Sequence, residues 1–117
     1  MRHLKKGKKF GRMRSDRISF LRNIGNDLIR AGSIETTEAR AKAIRPAVER
    51  LVTFAKKQTL AARRIILSRV HNDKITEKLY GELGPRYAER KGGYLRITKL
   101  QKSRKRDGTR MARIEFV

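Results

Sequence analysis

Neither cysteine nor tryptophan occurs in this chain, and no apolar run in it approaches the ~18 residues that a membrane-spanning helix needs. Without cysteine there is no disulfide framework and no thiolate metal site, and the composition fits a reducing compartment. The basic N-terminus is not followed by the ~7–15-residue apolar stretch of a secretory signal, so the expected location is the cytoplasm. Binding to a membrane surface is disfavoured as well. It calls for helices with bulky apolar faces left over from the core, often anchored by Trp.

Acid is scarce too. Asp and Glu number 11 against 32 Lys and Arg, a formal net charge of +21. Charged residues make up 37% and apolar residues 38% of the chain, against roughly a quarter and nearly a half in an average domain. The 117 residues therefore suit one domain with a small core. Repulsion at this charge works against a compact state unless an anion is present. With membranes set aside, the expected anion is nucleic acid.

Catalytic equipment is thin. The histidines are His3 and His71, and few ligand-forming neighbours surround either. No phosphate-binding GxxxxGK[ST] loop and no GxSxG elbow occurs. The acids are scattered beside bases, as in surface ion pairs. The expectation is a protein that is not an enzyme, with no cofactor, no metal and no small-molecule substrate.

What is there is positive charge in blocks. Residues 1–14, MRHLKKGKKFGRMR, carry 7 bases and no acid. KLQKSRKR, from Lys99 to Arg106, adds 5 more without an acid. Between them the charge is mixed, as on a folded surface. This divides the chain into a basic arm (1–14), disordered when free, and a single α+β domain (15–117) with a basic hairpin loop (99–110).

The body's pattern is helical first. In SDRISFLRNIGNDLIRAG, Ser15 is placed to cap a helix, with Asp16 at the positive end of its dipole. Ile18, Leu21, Ile24 or Gly25, and Leu28 recur at helical spacing, and Gly32 ends the run. Ser33 to Thr36 reads as a short strand, and Thr37-Glu38 as a second helix start. Ala41, Ile44, Val48, Leu51 or Val52, and Ala55 form the next stripe. Pro46 interrupts it, predicting a kink or a break. A third helix runs from Leu60 to Val70. Asp73 caps a fourth, with Ile75, Leu79 and Leu83 on one face, and Gly84-Pro85 stop it.

After Gly92-Gly93 the period changes. Tyr94 to Leu100 is rich in strand formers, and Met111 to Val117 alternates, with Ala112, Ile114 and Phe116 facing one way. Asp107-Gly108 marks the turn. The fold class is α+β: helix, short strand, about three helices, then a C-terminal hairpin. That gives a small mixed sheet covered by helices on one face. The last strand could be an open edge, available for dimerisation.

Each Lys or Arg that neutralises a phosphate releases condensed counterions. The arm supplies Arg2, Lys5, Lys6, Lys8, Lys9, Arg12 and Arg14 for this, and the hairpin supplies Lys102, Arg104, Lys105 and Arg106. Phe10 and Tyr94 are possible platforms for unstacked RNA bases. For Tyr94, a strand residue half in the core is an equal alternative. An arm of this kind orders on its partner, in coupled folding and binding. Composition alone also allows a nucleoid-type DNA-binding protein.

Met1-Arg2-His3 with Gly7 and Arg12, then Arg17, Arg22-Asn23, Leu28, Thr36-Thr37, Ala41-Lys42, Gly92-Gly93-Tyr94 with Arg96-Ile97, and Ile114-Glu115 resemble the bacterial ribosomal large-subunit protein L17 family. The resemblance runs end to end, in order, and departs from the family's pattern at Gly11, Asp16 and Leu95. It implies a structural component of the large ribosomal subunit that binds 23S ribosomal RNA. It also implies neighbouring ribosomal proteins near the nascent-chain exit region. By position it places Arg2, His3, Arg12, Arg17 and Arg22 on the RNA-facing segment, with Tyr94 and Arg96 after the glycine turn.

Overall fold

The computed structural model describes residue 3 and residues 7–117. The expectations for Arg2, Lys5 and Lys6 lie outside the described residues. Helix α1 (Arg14–Ala31) is followed by strand β1 (Ser33–Thr37), α2 (Glu38–Lys56), α3 (Leu60–Val70) and α4 (Asp73–Lys78). A π-helical turn (Leu79–Leu83) carries α4 on into the short α5 (Gly84–Arg86), and the hairpin β2 (Leu95–Ser103) and β3 (Arg110–Phe116) completes the chain. This is the expected α+β order.

The sheet order is β1-β3-β2, and both pairings are antiparallel. The sheet is therefore not mixed in strand direction. The last strand is also no open edge: β3 lies between the other two. Ile114 sits opposite Ile34 of β1 and Ile97 of β2, and Ala112 opposite Thr36 and Lys99. These rows face the helices. Ile114 and Ala112 are fully buried, as are Leu28 and Ile29 of α1, Val52 of α2 and Ile66 of α3. α2 crosses the covered face and touches all three strands. The opposite face carries Glu35, Arg96, Thr98 and Arg113 and stays open to water.

Several boundaries differ from expectation for local reasons. α1 starts at Arg14, with Met13 at the cap position and no side-chain cap, so Ser15 lies inside the first turn. Asp16 does stand in that turn, and Gly32 ends the helix at φ 82° with its N–H on the Leu28 carbonyl. Asn72, not Asp73, caps α4, its side chain accepting from the Ile75 N–H. α2 runs unbroken through Pro46. Pro46 and Lys42 both lie on the solvent side, where water can serve the Lys42 carbonyl left without a donor.

Gly84-Pro85 do not stop the fourth helix. The chain widens instead, with the Gly84 N–H bonding the Leu79 carbonyl five residues back. Pro85 has no N–H to offer the Tyr80 carbonyl, and Gln58 Nε2 donates to it at 2.7 Å. Gly84 packs tightly on α2: a Cβ there would lie 2.6 Å from the Ala55 carbonyl oxygen. The hairpin strands also run further than expected, so the loop shortens to 104–109.

Candidate nucleic-acid interface

The start of α2 is where the two basic blocks meet. Thr37 caps this helix by accepting from the Arg40 N–H, and Glu38 occupies its first turn. The Glu38 carboxylate lies 2.8 Å from Lys42 Nζ, one helical turn on, and 3.7 Å from Lys99 Nζ of β2. The Lys42 hydrogen bond, with the charges of Lys99 and Arg110, holds the Glu38 carboxyl below its ordinary pKa. Lys8 of the arm lines one cleft with Glu38, Lys42 and Arg110. A second cleft shares Glu38 and Arg110 and adds Lys99 and Lys102. One carboxylate thus sits among cations drawn from the arm, a helix and the hairpin.

The arm reaches this place by docking on Phe20. The Arg12 guanidinium stands 3.7 Å from the Phe20 ring centroid, and Arg40 of α2 stands 4.9 Å from it. The Phe10 ring packs on the same residue at 5.8 Å. Gly7 and Gly11, at φ 83° and 64°, supply the left-handed turns on either side. Phe10 is therefore half-buried as an anchor for the arm, with part of its ring still exposed. His3, Lys8, Lys9, Arg12 and Arg14 are exposed, and Arg17 is half-buried.

Arg22 has a structural duty. Its Nε donates to the Arg69 carbonyl at 3.1 Å, and Asn26 Nδ2 donates to the Val70 carbonyl at 3.1 Å. Together they satisfy carbonyls at the end of α3 that have no helical partner.

The hairpin's cations are partly occupied. Lys102 and Arg113 both hold Glu35, at 2.6 and 2.9 Å. Lys102 first, then Arg113, keep the Glu35 carboxyl below its ordinary value, while Glu35 raises that of Arg113. Arg104 pairs with Asp107 at 2.6 Å. The Thr109 backbone N–H and then Arg104 bring the Asp107 pKa down from 3.8 to about 2. Lys105 and Arg106 at the tip, and Arg96 on the open sheet face, carry no ion pair among the described residues. They are the hairpin charges most available to an anion.

Tyr94 offers no base platform in this structure. It is 3% exposed, its ring packs on Tyr87 at 5.3 Å, and its hydroxyl accepts from Lys56 Nζ at 2.9 Å. The Gly92-Gly93 turn folds it inward, which realises the core alternative. Burial also raises the Tyr87 pKa, and its hydroxyl donates to the Val117 carbonyl at 2.6 Å.

Sequence reasoning did not mark Arg40, Lys42, Lys99 or Arg110 as binding residues. Nothing in a linear pattern pairs residue 8 with residue 110. A third basic block was legible, however. No acid stands between Glu49 and Asp73, and six bases do, from Arg50 to Arg69. Among the described residues, no group of three or more His, Asp or Glu is placed to hold a metal.

Residues 20–117 match the family described as Ribosomal protein L17. The chain belongs to the ribosomal protein L17 family. Across the whole chain, this L17-family sequence is 49% identical to a protein of Gemmatimonas aurantiaca named Large ribosomal subunit protein bL17, covering 98% of it. Proteins of the same name from Persephonella marina and Thermus thermophilus are 50% and 42% identical, again over 100% of this chain and over 95% and 99% of theirs. The family match begins at residue 20, but these relatives align through the arm as well.

Proposed function

We propose that this chain is a structural, non-catalytic component of the large ribosomal subunit, in the cytoplasm, binding 23S ribosomal RNA through its arm, the start of α2 and the hairpin tip. The convergence of Lys8, Lys42, Lys99 and Arg110 around Glu38 carries the reading. An RNA backbone passing there meets cations from three parts of the chain at once. Phosphate neutralisation there stabilises folded RNA where its helices come close together. The arm (1–14) lies along RNA, while the body (15–117) packs as one unit beside neighbouring ribosomal proteins, those of the nascent-chain exit region. The relatives named as large-subunit proteins support the ribosomal assignment.

The test is binding to 23S ribosomal RNA as salt is raised. If six to ten phosphates are contacted, affinity falls by ~10³–10⁵ between ~50 and ~200 mM salt. A nearly flat response removes the electrostatic account. Equal or better affinity for duplex DNA, with loss from cell fractions on DNase treatment, would favour a nucleoid protein instead.

A further inference from the structure

An apolar groove lies between α1, α2 and the end of α3, and no RNA contact proposed above, Arg22 aside, uses it. Ile18 and Leu21 of α1 face Ala43 and Ala47 of α2 across it, above the buried Ile44 and Val48. The alanines leave room where a larger residue would fill it. Gly25 lies beneath, packed on Val48, whose Cγ2 a Cβ at that position would meet at 3.4 Å. Ile18 remains 46% exposed, a large apolar side chain without cover.

The charged residues lining it are Arg22, Arg50 and Arg69, and among the described residues no carboxylate lines the groove. Arg22 and Arg69 are fixed, the first on the Arg69 carbonyl and the second 5.0 Å from the Phe54 ring. Arg50 is exposed with no ion pair among the described residues.

Four occupants can be compared on chemistry. RNA suits the rim but not the floor, which offers aliphatic side chains and no aromatic ring for a base. The chain's own arm is basic and is repelled by the rim. A second copy brings +21 against +21. An acidic amphipathic segment satisfies both parts: apolar residues at i, i+3 or i+4 and i+7 reach the floor, and flanking carboxylates reach the arginines. We infer that this groove is a docking site for an acidic, amphipathic helical segment of another protein.

The probe is a synthetic helical peptide of about 14 residues, with Leu at i, i+3, i+4 and i+7 and Glu on both flanks. A scrambled peptide of the same composition serves as control. The full chain binds the ordered peptide at least tenfold more tightly than the scrambled one. Ala47→Trp fills the groove without changing charge. It weakens the ordered peptide at least tenfold and leaves affinity for a 23S ribosomal RNA fragment within twofold. Ile18→Asn, also at an exposed site, does the same, and both variants keep the wild-type melting profile. Equal binding of ordered and scrambled peptides overturns the inference, because it reduces the effect to bulk charge. So does a matching loss of RNA affinity in both variants, which would make the groove an RNA surface. Should one variant melt early, the other decides.

Discussion

Ile114 shows how much one side chain can carry. It is fully buried on the central strand, with Ile34 and Ile97 beside it. Ile114→Asp places an unpaired charge there, and a loss of ~4 kcal/mol or more is expected. That is a large part of a small domain's stability, and thermal melts will show it. Glu115→Lys, one residue on and facing the open side, should change the melt little. Gly84→Ala should cost ~1–3 kcal/mol, because the added methyl meets the Ala55 carbonyl, which cannot move without shifting α2. Asp107 gives a pH signature. Its folded pKa of about 2 is below the ordinary 3.8, so its support for the hairpin turn is fully present above pH ~4. That support is lost as pH falls through about 2. An NMR titration following Asp107 and the Thr109 amide checks this, and a midpoint near 3.8 would contradict the Arg104–Asp107–Thr109 arrangement.

At the scale of elements, α2 is the spine. It carries Ile44, Val48 and Val52 into the core, contacts every strand, and presents its first turn to the basic junction. Its one internal flaw is Pro46. Pro46→Ala restores an N–H for the Lys42 carbonyl and should stabilise by ~1–2 kcal/mol. That is less than the full ~3 kcal/mol helix penalty, because proline also restricts the unfolded chain. The expected result is a melting temperature raised by several degrees, with RNA affinity unchanged. The hairpin is the other element of the proposed RNA surface. Its inner cations are tied to Glu35, Glu38 and Asp107, which offset part of the ribbon's positive charge. The tip residues Lys105 and Arg106 then project outward for an anion.

For the whole molecule the governing quantity is the net charge of +21. Truncation to begin at Met13 removes six bases and no acid. It also removes the packing of Phe10 and Arg12 on Phe20, worth ~0.5–1.5 kcal/mol for each of the two. Relief of self-repulsion offsets part of that cost. The truncated protein should therefore stay folded and melt within a few degrees of the full chain. Its salt slope on large-subunit RNA should become shallower by ~0.9 for each duplex-like phosphate that the arm had neutralised. Unfolding on truncation would mean that the arm is part of the body. An unchanged slope would mean that the arm is not on RNA.

The sequence by itself determined the charge, the helix and strand periods and the α+β order, because these depend on composition and on contacts a few residues apart. Ala41 to Ala55 could be read as one buried stripe since helical spacing is local. Tertiary structure alone decided that β3 is central, that Tyr94 turns inward onto Tyr87, and that α2 continues through Pro46 on its solvent side. It alone joined Lys8 to Arg110 across Glu38, and left Ile18 uncovered above Ala43 and Ala47. Each of these depends on which distant segments become neighbours. That choice is made by the packing of the whole core, and no local spacing records it.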